Sequence, residues 1–142
     1  MSTGGNRKMR KAVVLEKPEQ QRRVSVDEEL GGGDGVMIKS NILRFSSSFS
    51  KHLRLKDGDS AVLVRSVLPD GEIEWAVAIL PSITDKAGYK VSLAPSGWQI
   101  ICSDYRKKGL EEGVYLAGAT FSMEYKGDTL DCYPLERVKD VR

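Results

Sequence analysis

Histidine occurs once, as His52, and cysteine twice, as Cys102 and Cys132, with no CxxC spacing. That scarcity excludes a disulfide framework and a zinc-ligand pattern, and marks both thiols as free, buried side chains. No apolar run approaches the ~20 residues of a membrane-spanning helix. The basic residues near the start are followed by only four apolar ones, AVVL, too few for a secretory signal, so a soluble, intracellular protein is expected. A large excess of either charge is missing too. The net charge is +2, so bulk electrostatics announce no nucleic-acid partner and any such partner must be met by local patches. Catalytic signatures are also absent: no nucleophile elbow, paired-histidine motif or phosphate-binding glycine loop surrounds His52. The carboxylate pairs Asp57/Asp59 and Glu72/Glu74 sit where turns and edge strands carry solvated charge. Neither an enzyme activity nor a cofactor or metal is expected.

What is present is one domain's worth of chain, 142 residues, 40% hydrophobic and 30% charged, too apolar to be wholly disordered. Residues 1–35 read as a flexible tail: charged and glutamine-rich from Lys17 to Arg23, closing on the GGGDG linker Gly31–Gly35, with basic clusters at Arg7-Lys8, Arg10-Lys11 and Arg22-Arg23. Residues 36–142 change texture to short apolar runs between turn signals. Strands are predicted at about 36–45, 60–68, 73–80, 89–94, 114–125 and 129–135. Tight turns are expected at Pro69-Asp70-Gly71 and Lys126-Gly127-Asp128, and a bend at Gly118.

The stretch SNILRFSSSFSKHLRLKDGDSAVLV, Ser40 to Val64, organises the rest. A strand leads into a serine-capped helix at about 48–54, then Leu55 to Gly58, then a second strand. A shift of about 55 residues repeats the pattern, carrying Leu55 onto Leu110 and Gly58 onto Gly113. In the second copy a helix is expected at about 97–107, because Trp98, Ile101, Cys102 and Tyr105 follow a three-and-four spacing. The fold class predicted is mainly β: a small pseudo-twofold β-barrel with two short helices.

Two loops hold donors suited to phosphate oxygens and base edges. Lys39, Ser40, Asn41 and Arg44 cluster at the first strand, with Ser46 opening the serine run after it. Ser82, Thr84, Lys86 and Lys90 lie in and beside the connection PSITDKAGYK. At one rim the two loops would form a pincer around duplex DNA. A non-catalytic protein-interaction module on the same barrel is the alternative, docking a partner at a sheet edge or at the apolar loop around Pro81 and Ile83.

The order RF-SSSFSKHLRL, DGEIEWAV, YKVSLAPSGW, GLEEGVYL resembles the plant B-three DNA-binding domain of auxin-response, abscisic-acid-response and reproductive-meristem transcription factors. Arg44, Phe49, Leu53, Asp70-Gly71, Trp75, Gly97-Trp98, Leu110 and Gly113 carry the likeness, over about residues 37 to 136. The resemblance implies a seven-stranded pseudobarrel gripping the DNA major groove with two arms, Lys39, Ser40, Asn41 and Arg44 in the first and Ser82, Thr84, Lys86 and Lys90 in the second. It also implies a nuclear transcription regulator; without it the expected location is the cytoplasm. Ser46-Ser47 stands where that family usually has isoleucine-proline, so base preference does not transfer. The run Leu53 to Leu63 is similar to AbrB-type bacterial regulators, whose barrels interleave two chains.

Overall fold

The computed structural model describes residues 12–14, 25–80 and 88–141. Within them ten antiparallel strands form one sheet, nine of which close into a nearly complete barrel. In chain order they are β1 (Gly35–Lys39), β2 (Ile42–Phe45), β3 (Ser60–Val67), β4 (Ile73–Leu80), β5 (Tyr89–Lys90), β6 (Ser92–Ala94), β7 (Gly97–Ile101), β8 (Gly113–Ala117), β9 (Phe121–Tyr125) and β10 (Asp128–Lys139). The sheet runs β5-β3-β4-β10-β8-β1-β2-β7-β6, and its two end strands are consecutive in the chain across Val91. The expected mainly-β barrel with two short helices is what forms. Its interior holds Val36, Ile38, Leu43, Phe45, Val77, Val91 and Ile100 from the inward faces, the period-two alternation of strands.

The helices are α1 (Val26–Glu29) and α2 (Ser47–Leu53). α2 starts where the serine run predicts, because Ser46 is its N-cap and accepts the Phe49 N–H at 3.2 Å. Phe49 then enters the core between Phe45 and Tyr133, ring centroids 6.0 and 5.2 Å away. α1 belongs to the stretch read as a flexible tail, yet Val26 is buried against Met37 and Val114 on the outside of β1 and β8. Gly35 likewise serves packing rather than flexibility: a Cβ there would lie 2.1 Å from the Tyr115 carbonyl oxygen, so only glycine lets β8 approach.

The second expected helix is corrected. Residues 97–101 are strand β7, followed by a bend and a 3₁₀ turn at Arg106–Lys108. Trp98, Ile100 and Cys102 face inward at a spacing of two, whereas Ile101, which the helical stripe would bury, is 61% exposed. Pairing of Leu43 with Ile100 and of Arg44 with Gln99 outweighed the local periodicity. The strand expected over 36–45 is a hairpin instead, turning at Ser40 and Asn41 with φ of 52° and 67°, both left-handed as a tight two-residue hairpin requires. The strand expected over 114–125 breaks after Ala117. β9 then leaves the barrel, and its hairpin with β10 lays Phe121, Met123 and Tyr125 over Ala76, Ala78 and Leu80.

The repeat is real at the level of individual bonds. Arg54 N–H donates to the Lys51 carbonyl and Leu55 N–H to the Ser50 carbonyl, each at 3.1 Å; 55 residues later, Gly109 donates to Arg106 and Leu110 to Tyr105, again at 3.1 Å. Arg54 and Gly109 both have left-handed φ, 53° and 93°. The hairpin β1–β2 corresponds to β6–β7, and the pair Arg44–Gln99 joins equivalent positions of the two halves. A pseudo-twofold axis therefore passes through that pair. No helix among the described residues is long and apolar enough to cross a membrane.

Candidate nucleic-acid interface

The tip of the first arm is the β1–β2 turn. Lys39, Ser40 and Asn41 are exposed there. The turn is held from below, since Cys102 N–H donates to the Asn41 carbonyl at 2.8 Å and Ser40 N–H donates to Glu112 Oε2 at 2.8 Å. The root of the second arm reaches the same segment. Tyr89 donates its hydroxyl to Asp104 Oδ1 at 2.6 Å, which sets exposed Lys90 beside it. One turn, 102–104, thus bonds both the β1–β2 turn and Tyr89 of β5. Ser82, Thr84 and Lys86, the remainder of the second arm, and the loop residues Pro81 and Ile83 lie outside the described residues.

Arg44 does not join the tip. It sits on the outer face of β2, about 10 Å along the strand at ~3.3 Å per residue, beside Gln99, and its Nε donates to Ser96 Oγ at 3.2 Å. Gln99 was hidden from sequence reasoning by the helical reading of its segment. Ser46 is removed from the surface altogether: it is fully buried, and its Oγ accepts the N–H groups of Gly35 and Phe49. The serines after it are also occupied. Ser47 gives its N–H and its hydroxyl to Asp27 at 2.7 and 2.6 Å, and Ser48 gives its hydroxyl to Asp34. Two carboxylates therefore fill the start of α2, where the sequence suggests a phosphate seat, and they would repel an anion there.

The basic run Arg106-Lys107-Lys108 is mostly neutralised. Arg106 pairs with Glu112 at 3.0 Å and Lys108 with Asp104 at 2.9 Å, while Lys107 has no ion pair among the described residues. The Ser40 N–H, and then Arg106, hold the Glu112 carboxyl below its ordinary range. Tyr89 and then Lys108 do the same for Asp104. Burial first, and the Asp104 hydrogen bond second, raise the Tyr89 phenol.

Among the described residues, the two thiols and the lone histidine have structural surroundings. Burial pushes the Cys102 thiol up to about 11, and Cys132 is also raised by burial; both are free and buried, as expected. Asp34 sits between Ser48 and His52, accepting from the Ser48 hydroxyl and facing His52 Nδ1 at 2.9 Å. The carboxylate occupies the middle place, where a nucleophilic relay would need the imidazole, so the cluster ties α2 to the loop before β1. Its hydrogen bonds, His52 first, hold the Asp34 carboxyl below its usual value.

Two clefts flank the axis. One, of about 350 Å³, lies between α2 and the β6–β7 hairpin, with Phe45, Leu55 and Trp98 as its floor and Lys51 and Arg54 at its rim. The other, of about 460 Å³, is lined by Arg106, Leu110, Glu111, Glu112 and Arg137. Lys51 corresponds to Arg106 and Leu55 to Leu110, so the clefts are counterparts. Set against family models, curated proteins and solved structures, the chain matches none.

Proposed function

We propose that this chain binds duplex DNA between two arms at one end of the barrel, as a sequence-specific transcriptional regulator of the B-three kind acting in the nucleus. The observation that carries the reading is the shared anchor: Asn41 and Tyr89 both bond to residues 102–104. Lys39, Lys90 and Lys107 supply phosphate contacts around that anchor. Asn41 at the tip, and Arg44 with Gln99 on the outer face, supply the paired donors and acceptors that read base edges. With a net charge of only +2, the electrostatic attraction has to come from local groups such as these.

The test is binding of the full chain to random-sequence duplex at two salt concentrations, by fluorescence anisotropy. Affinity should fall steeply with salt. Lys39→Ala with Lys90→Ala should weaken binding evenly across sequences and lower the salt slope by about 1 per lysine. Arg44→Ala should relax the preferred site by about 1–3 kcal/mol at one base pair. Unchanged affinity in the triple variant would sink the assignment. The protein-interaction reading is favoured by a separate feature, the open cleft beside α2.

A further inference from the structure

We propose that the cleft between α2 and the β6–β7 hairpin is a docking site for an acidic peptide segment carrying one large apolar side chain. Its floor is Phe45, Leu55 and Trp98, and Leu93 stands at its lip 62% exposed, a large apolar surface at the mouth of a concave site. Lys51 and Arg54 are exposed at the rim and make no ion pair among the described residues. A cleft with an apolar floor and a cationic rim suits an apolar anchor flanked by carboxylates.

The counterpart cleft indicates what is missing here. There Glu112 neutralises Arg106, and the carboxylate is held in place by the Ser40 N–H at 2.8 Å and the Tyr105 hydroxyl at 3.2 Å. The residues equivalent to Glu112, Ser40 and Tyr105 are Asp57, Pro95 and Ser50. Proline has no N–H to donate. Ser50 is too short to reach out, and its hydroxyl donates to the Ser46 carbonyl at 2.7 Å. Nothing draws Asp57 inward, so it remains exposed and Lys51 stays unneutralised. A partner's carboxylate takes the place that Glu112 fills in the other half. The apolar floor favours a peptide over duplex DNA, whose sugar-phosphate backbone projects no large apolar side group to bury.

This inference does not rest on the DNA reading, and one experiment separates them. A fluorescein-labelled peptide, Asp-Asp-Glu-Phe-Asp-Asp, is titrated into the full chain, with and without random-sequence duplex as competitor. Binding is expected, weakened roughly tenfold by Lys51→Glu with Arg54→Glu, weakened again by Leu93→Asp, and lost when the peptide's Phe is replaced by Ser. All three protein positions are exposed, so the fold should hold. A second variant, Pro95→Ser with Asp57→Glu, leaves both rim cations in place but rebuilds the internal latch; it too should weaken the peptide. No binding at low salt, equal binding of the Ser peptide, or binding unaltered in the charge-reversed and latch-rebuilt variants overturns the proposal. Displacement by duplex DNA together with indifference to the Phe anchor would also overturn it, as a phosphate site.

Discussion

The two halves share a backbone plan and differ in how each ends its helical turn. In the second half Tyr105, fully buried, sends its hydroxyl to Glu112, and Arg106 stacks over its ring, 5.7 Å from the centroid, while pairing with the same carboxylate. In the first half the equivalent positions are Ser50, Asp57 and Lys51, and the network does not form. Equivalent hydrogen bonds at Arg54/Gly109 and Leu55/Leu110 close both turns, so the contrast lies in the latch side chains and in Pro95, which lacks the N–H that Ser40 donates. Backbone symmetry fixes where the two clefts are. The latch decides which one keeps an unpaired cation at its rim.

The largest test of this comparison is core truncation. Phe49 anchors the first turn and Tyr105 the second, each fully buried. Phe49→Ala and Tyr105→Ala should each cost about 3–5 kcal/mol by chemical denaturation. A cost confined to one would mean that the halves do not share the core equally. Next is the cap. Ser46→Ala removes the acceptor of two backbone N–H groups and should cost about 1–2 kcal/mol, whereas Ile101→Ala, at the equivalent and exposed position, should stay within about 0.5 kcal/mol.

The latch comes third. Glu112→Gln should cost about 1 kcal/mol, because the carboxylate is partly exposed and its ion pair is screened. Asp57→Asn should leave the melting temperature unchanged. Glu112 has a folded value below its ordinary one, so its contribution is fully present above about pH 4.5 and is lost as pH falls through the depressed value. The drop in midpoint between pH 7 and pH 3 should therefore be smaller in Glu112→Gln. An unchanged drop would remove the latch from the account.

Much of the architecture was legible because the repeat is written in apolar and glycine positions, which a fold tolerates poorly when moved. Leu55 and Leu110 are both buried after a left-handed residue, and Gly71 and Gly127 sit at hairpin turns. The segment from Gly97 to Tyr105 misled, since Trp98 and Cys102 satisfy both a helical spacing and an alternating one, and only pairing with β2 decides between them. Ser40 and Asn41 concealed a hairpin because no glycine marks the left-handed turn, although asparagine accepts that conformation. Of the residues assigned to the arms, Lys39, Asn41 and Lys90 are exposed. Ser46 was misassigned because one hydroxyl can either cap a helix or face a ligand, and burial alone separates the two. The rim of the open cleft was missed for a related reason. Lys51 and Arg54 are ordinary helix-end cations until their partnered counterpart, Arg106, is seen across the axis.

The most direct test of the DNA reading is a backbone-amide NMR titration of the full chain with random-sequence duplex at low salt. The arms' common anchor predicts shifts concentrated at 39–44, 88–90, 99 and 102–108, with α2 and its cleft unmoved. Shifts centred on 51–57 and 93–98, or no shifts at all, would contradict it.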